Sequence, residues 1–197
     1  MTGYCVLDTE TTGLFDWNRP ADAPGQPRLA SIAMIFLDAD FATEFEWSCL
    51  IQPNGWEMTP EALAINGLTT ERLKAEGLAA WLPLAIFSET IKTERTIVAF
   101  NSQFDLKVMC GELRRHSRPD FYENTREFCV MKAMTPLCKI PKANGGGFKW
   151  PNLSQAHTRF FGRPHEGAHG ALSDARACRD IFVKLQKRIP DSLPGAS

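Results

Sequence analysis

The order in which apolar segments follow one another constrains this chain most. Residues 4–7 (YCVL) read as a short buried strand, 29–37 (LASIAMIFL) as a longer one, and a third is expected around 45–51. The intervening stretch 15–28 carries three prolines, a glycine and two aspartates, and sustains neither the helical nor the strand period. Helices are expected next, over 60–66, over 69–74 with Thr69 or Thr70 as N-cap, and over 78–91. Strand and helix then mix. TIVAF (96–100) is an apolar strand, and Asn101-Ser102 opens a helix that buries Phe104, Leu106, Val108, Met109 and Leu113 in part. A last strand is expected over 127–131, a mobile lysine-rich loop over 138–151, helices over 153–161 and 171–189, and a tail over 190–197. Strands first and a mixture later suggest a three-layer α/β domain with a mixed sheet, not a strictly alternating doubly wound one. No repeat or linker divides residues 1–189, so one domain is expected.

Composition narrows the functional classes. The chain is 23% charged and 44% hydrophobic, ordinary for a globular protein, and has no run long enough to span a bilayer. The N-terminus lacks the basic start and cleavage site of a signal peptide, so a cytoplasmic location is expected. Cys5, Cys49, Cys110, Cys129, Cys138 and Cys178 form no CxxC pair and read as free thiols. A net charge of −1 argues against a protein that coats nucleic acid electrostatically, and leaves room for an enzyme that touches a few nucleotides.

Three short segments carry chemistry. In VLDTETTG, alternation along the strand sends the Asp8 and Glu10 carboxylates to one face and Thr9 to the other. Like charges that close are best reconciled by a cation between them, and oxygen donors suit Mg²⁺ or Mn²⁺. Two solvated charges where a strand leaves the core would read the same way. Asp105 lies on the first turn of a helix, where the helix dipole alone would favour it, and Asn101 has the identity of a simple N-cap. His169 and Asp174 stand five residues apart at the start of the last helix, a spacing that is cheap by itself.

Order and placement decide. DTETTG, NSQFD and HGALSDA, in this sequence, resemble the DEDDh group of DnaQ-like 3′→5′ exonucleases, which includes proofreading subunits of replicative polymerases and related repair and RNA-trimming nucleases. The resemblance runs from about Cys5 to about Leu185. It implies an RNase H-like three-layer α/β/α fold with a central mixed five-stranded sheet, and two divalent ions, Mg²⁺ or Mn²⁺, held by Asp8, Glu10, Asp105 and Asp174. By the same resemblance Asp8 bridges both ions, Glu10 and Asp174 complete the site that activates water, Asp105 serves the second ion, and His169 is the general base. His116 and His157 read as structural. Of His165 and His169, only His169 is assigned to the site.

Substrate contacts are expected from Thr11, Thr12, Gly13 and Leu14, from Ile65 and Asn66, and from Asn101 and Phe104; the family usually has histidine where this chain has Asn66. Lys139, Lys142 and Lys149, interleaved with Phe148 and Trp150, have the composition of a single-strand track and equally of a solvated loop, and Trp17 and the 114–118 basic run share that ambiguity. The expected partner is a nucleic-acid 3′ end, DNA in preference to RNA, releasing nucleoside 5′-monophosphates. An exoribonuclease of the same mechanism is the nearest rival, and a non-catalytic nucleic-acid-binding module the rival of a different class.

Overall fold

A computed structural model describes residues 3–120 and 125–187. The expected tail, 190–197, and the last residues of the final helix lie outside them. Five strands form one mixed sheet in the order β3-β2-β1-β4-β5, with β1 Tyr4–Thr11, β2 Leu29–Leu37, β3 Thr43–Leu50, β4 Thr96–Ala99 and β5 Glu127–Cys129. Strands β1 to β3 are antiparallel neighbours, whereas β4 runs parallel to both β1 and β5. The expected RNase H-like α/β fold is therefore present.

Seven helices accompany the sheet among the described residues: α1 Pro60–Asn66, α2 Thr70–Glu76, α3 Trp81–Lys92, α4 Ser102–Arg115, α5 Val130–Cys138, α6 Leu153–Phe161 and α7 Ala171–Gln186. Strand alternation separates two cores. Cys5, Leu7, Ile32 and Met34 face one way and pack against Leu84 and Phe87 of α3 and Leu106, Met109 and Leu113 of α4. Val6, Ala33, Ile35 and Leu37 face the other way, against α5, α6 and α7. Side-chain oxygens set several helix starts: Thr59 accepts from the Ala62 amide ahead of Pro60, Thr69 from the Arg72 amide, and Asn152 forms a reciprocal capping box with Gln155.

Four departures from expectation have physical causes. Strand β1 continues to Thr11, because β2 pairs with it as far as Leu29 through a register shift at Glu10/Thr11. The expected strand 127–131 stops at Cys129, and α5 takes over despite Pro136 inside it; burial of Val130, Met131 and Met134 compensates for the backbone bond that proline cannot make. The lysine-rich loop is paired with itself: Pro141 bridges Phe148, and the Lys149 amide donates to the Ile140 carbonyl at 2.8 Å. Leu78 likewise bridges Ile51, so α3 begins at Trp81, later than expected.

Candidate active site

The site forms where β1 emerges between the two cores. Asp8 pairs across the sheet with Ala33, a small residue, and α7 presents Ala171, Ala175 and Cys178 to the same face. Small side chains on both sides let the helix approach the sheet closely, and this brings Asp174, on the first turn of α7, beside the strand carboxylates. One oxygen each from Asp8, Glu10 and Asp174 lies within 4.8 Å of the others. All three are half-buried.

Asp105 enters from the opposite layer. It is 5% exposed on α4, and Thr9, the residue between the two strand carboxylates, donates its hydroxyl to Asp105 Oδ1 at 2.8 Å. Alternation that sends Asp8 and Glu10 to one face thus uses Thr9 to tether the fourth carboxylate at the rim. Asn101 occupies the N-cap position of α4, and its side chain makes no capping bond.

The electrostatics are those of an uncompensated acidic cluster. Burial, followed by repulsion from Asp105, Asp174 and Glu10, pushes the Asp8 carboxyl well above its usual range. Burial and the Asp174 charge lift Glu10 to about 7 against an opposing hydrogen bond from Asn66. Burial also raises Asp105 to about 7, although the Thr9 hydrogen bond pulls it down. An all-oxygen donor set whose anionic form is disfavoured by its own neighbours fits a hard divalent cation, which would relieve both desolvation and repulsion.

Two histidines flank Asp174. The His169 backbone amide donates to Asp174 Oδ2 at 3.2 Å, while its ring is on an exposed turn and its φ is 69°, a left-handed conformation that costs about 1 kcal/mol or more for a non-glycine residue. Ser173 donates to the Gly167 and Gly170 carbonyls, so the turn is latched to α7. His165, unassigned from sequence, is in direct contact: its side chain is 6% exposed and Nε2 lies 2.7 Å from Asp174 Oδ1. Facing a carboxylate oxygen, Nε2 is the donor in that contact, and Nδ1 lies 3.2 Å from the Ser154 hydroxyl. Nothing local distinguishes the two histidines; both precede α7 in the same turn-rich stretch. His157 is buried and donates through Nδ1 to the Arg163 carbonyl, in keeping with a structural role.

Beside the carboxylates opens a cavity of about 600 Å³ lined by Glu10 to Leu14, Thr59, Ile65, Asn66 and Phe104. Asn101 is outside this lining. Leu14 and Ile65 are 86% and 59% exposed at its lip. Asn66 ties the cavity wall to β1 through the Thr11 carbonyl at 3.3 Å, and Thr59 donates to the Thr12 carbonyl at 2.9 Å. A Cβ at Gly13 would meet no atom within 4 Å, so packing does not demand glycine there; it bares backbone to whatever fills the cavity.

A sheet of this order, with carboxylates converging from β1, α4 and α7, defines a class. The family model described as Exonuclease matches residues 5–182, so the chain belongs to that family, the DEDDh-type, DnaQ-like exonucleases of the RNase H-like superfamily. An exonuclease domain thus accounts for most of the chain.

Among individual proteins, E. coli exonuclease I in complex with a dT13 oligonucleotide superposes with a TM-score of 0.77 at 19% identity, over 95% of this chain and 42% of that one. The zinc-bound exonuclease I–ssDNA complex gives 0.75 at 21% identity, over 95% and 41%. A product-bound exonuclease I gives 0.74 at 20%, over 95% and 44%. At such identities the likeness is one of fold, and this chain spans about two fifths of that protein's length. No curated protein sequence matches the chain.

Proposed function

We propose that this exonuclease removes nucleotides from the 3′ end of single-stranded or frayed DNA, releasing nucleoside 5′-monophosphates with two Mg²⁺ or Mn²⁺ ions. The observation that carries the reading is the convergence of the Asp8, Glu10 and Asp174 oxygens within 4.8 Å beside a cavity with apolar lips. Asp8, Glu10 and Asp174 would hold one ion, and Asp105, with Asp8, the other. When bound, the ions supply a nucleophile from water and neutralise charge on the phosphoryl and leaving oxygens.

The chain's own residues do the rest. His169 takes the proton of the attacking water, a task suited to an imidazole on an exposed turn anchored to Asp174 by its backbone amide. Leu14 and Ile65 grip the terminal base between apolar surfaces, and the bared backbone at Gly13 receives the sugar. Asn66, in place of the family's usual histidine, works through the wall of the cavity, holding the Thr11 carbonyl. The nucleoside-sized cavity accommodates deoxyribose and ribose alike, which keeps an exoribonuclease as the second reading. The raised carboxyls favour a catalyst over a bare binding module, because repulsion of this kind serves no purpose without a cation. No helix among the described residues is long and apolar enough to cross a membrane, and the six cysteines are free thiols, as a cytoplasmic enzyme would have.

The test is digestion of matched 5′-labelled DNA and RNA oligonucleotides with Mn²⁺. Asp8→Ala and Asp174→Ala are expected to abolish cleavage, and His169→Ala to lower turnover by about two to four orders of magnitude while binding persists. A chelator should stop the reaction. Binding without cleavage by the wild-type protein would leave the module reading standing, and a strict zinc requirement would remove the hard-ion assignment.

A further inference from the structure

The 15–28 segment, irregular in sequence, is cross-linked by side-chain hydrogen bonds to its backbone. Gln26 is 5% exposed; its carbonyl oxygen accepts from the Asp16 amide at 3.0 Å and its amide nitrogen donates to the carbonyls of Asp16, Arg19 and Pro20. Arg115 donates to the Ala21 carbonyl at 2.9 Å, and Gly111 lets the chain touch α4, since a Cβ there would lie 2.7 Å from the Ala21 oxygen.

This frame displays an aromatic series leading out of the candidate active site. Phe104, in the cavity wall, meets Phe15 edge-on at 5.5 Å, and Phe15 meets Trp17 at 5.8 Å. Phe15 is buried, whereas Trp17 is 49% exposed. The Lys107 ammonium lies 4.4 Å from the Trp17 ring centre, and among the described residues it has no carboxylate partner. By contrast Arg114 is paired with Asp120, and Arg19 donates to the Pro24 carbonyl. Trp17, Arg19, Gln103, Lys107 and Arg114 border a second cavity of about 300 Å³. Gln103, Lys107 and Arg114 lie along one face of α4, which starts at the carboxylate site and carries that face about 16 Å away from it.

We propose that this face is an upstream subsite for single-stranded nucleic acid, in which Trp17 stacks on a base and Lys107 meets a backbone phosphate behind the terminal nucleotide. The proposal rests on the nuclease reading for the direction of the strand. Its occupant follows from charge and continuity: an exposed indole beside an unneutralised ammonium matches the alternating base and phosphate of a single strand. The aromatic series joins the face to the cavity that takes the 3′ end.

The experiment compares wild type, Trp17→Ala and Lys107→Ala, with Trp17→Phe and Lys107→Arg as conservative controls. The probe is a labelled thymidine 12-mer, with a thymidine dinucleotide as the short substrate. In metal-free anisotropy titrations, both alanine variants should bind the 12-mer about tenfold more weakly, the conservative variants should recover most of the loss, and Lys107→Ala should lower the slope of log affinity against log salt by about 0.7. With Mn²⁺, the ratio of KM between dinucleotide and 12-mer should shrink by a similar factor. Wild-type affinity and KM ratio in both alanine variants would overturn the subsite. Absence of cleavage by wild type, with the tenfold binding loss intact, would count against the nuclease reading and leave the surface assignment standing.

Discussion

At the residue scale, Asp174 shows how much positioning a candidate metal-site carboxylate requires. Its two oxygens are claimed separately, Oδ1 by the His165 ring and Oδ2 by the His169 amide, so its plane is set before any ion arrives. A carboxylate fixed this way spends less entropy on ligation, and loss of such supporting partners typically costs about 10- to 100-fold in metal affinity. His165→Ala is therefore expected to weaken Mn²⁺ binding by about that factor in calorimetric titration. His165→Asn or Gln, which still offers an amide donor, should restore part of it. Unchanged Mn²⁺ affinity in His165→Ala would reduce the ring to core packing against His157. The companion tether, Thr9 to Asp105, follows the same logic from the opposite layer.

At the level of elements, α4 does two jobs and its sequence is divided between them. Its N-terminal turn delivers Asp105, and its C-terminal half holds the 15–28 segment through Glu112, which is 2% exposed. Glu112 accepts from Arg28 Nε at 2.8 Å, from Arg115 at 3.0 Å and from the Leu29 amide at 3.2 Å, tying the start of β2 to the helix. Removing the acid would strand two partly buried guanidinium groups. Glu112→Ala is expected to lower unfolding free energy by about 3 kcal/mol in urea titration; a loss under about 1 kcal/mol would mean that solvent compensates both arginines. The sequence located the start of α4 to within a residue, yet it could not reveal this second role. Besides Arg115 one turn on, the partners of Glu112 lie 83 and 84 residues away, where no local pattern reaches.

For the molecule as a whole, the candidate active site is a place where folding opposes ionisation. Unfolded, the carboxyls of Asp8, Glu10 and Asp105 titrate near 4; in the fold all three are raised, Glu10 and Asp105 to about 7. Between those values the metal-free fold keeps protons that the unfolded chain has released. The contribution of these groups to stability therefore falls as pH rises through that window. A divalent ion, which needs the deprotonated forms, should reverse the penalty. Thermal melting is expected to show that Glu10→Gln stabilises the metal-free protein at pH 8 and not at pH 4, and that Mn²⁺ raises the wild-type Tm strongly at pH 8 and little at pH 4. Equal effects of the substitution at both pH values would mean that Glu10 is not strained by its neighbours.

What the sequence determined by itself was the inventory. Apolar period placed β2, β4, α1, α6 and the start of α7 correctly, because each depends on side chains within a few residues of one another. The three motifs supplied four carboxylates and His169 as candidates, of which Asp8, Glu10 and Asp174 share one cluster. Tertiary structure alone decided the rest. Helix α5 exists because the core beneath the sheet buries Val130 and Met134 and outweighs Pro136, and His165 gains a partner because α6 and α7 enclose it through Ser154 and Asp174. The 15–28 segment is tied to the domain because Gln26 and Arg115 of α4 satisfy several of its carbonyls. Periodicity reports which face of an element is apolar; only packing decides which faces meet, and a site made by Asp8, Asp105 and Asp174 is a consequence of that meeting.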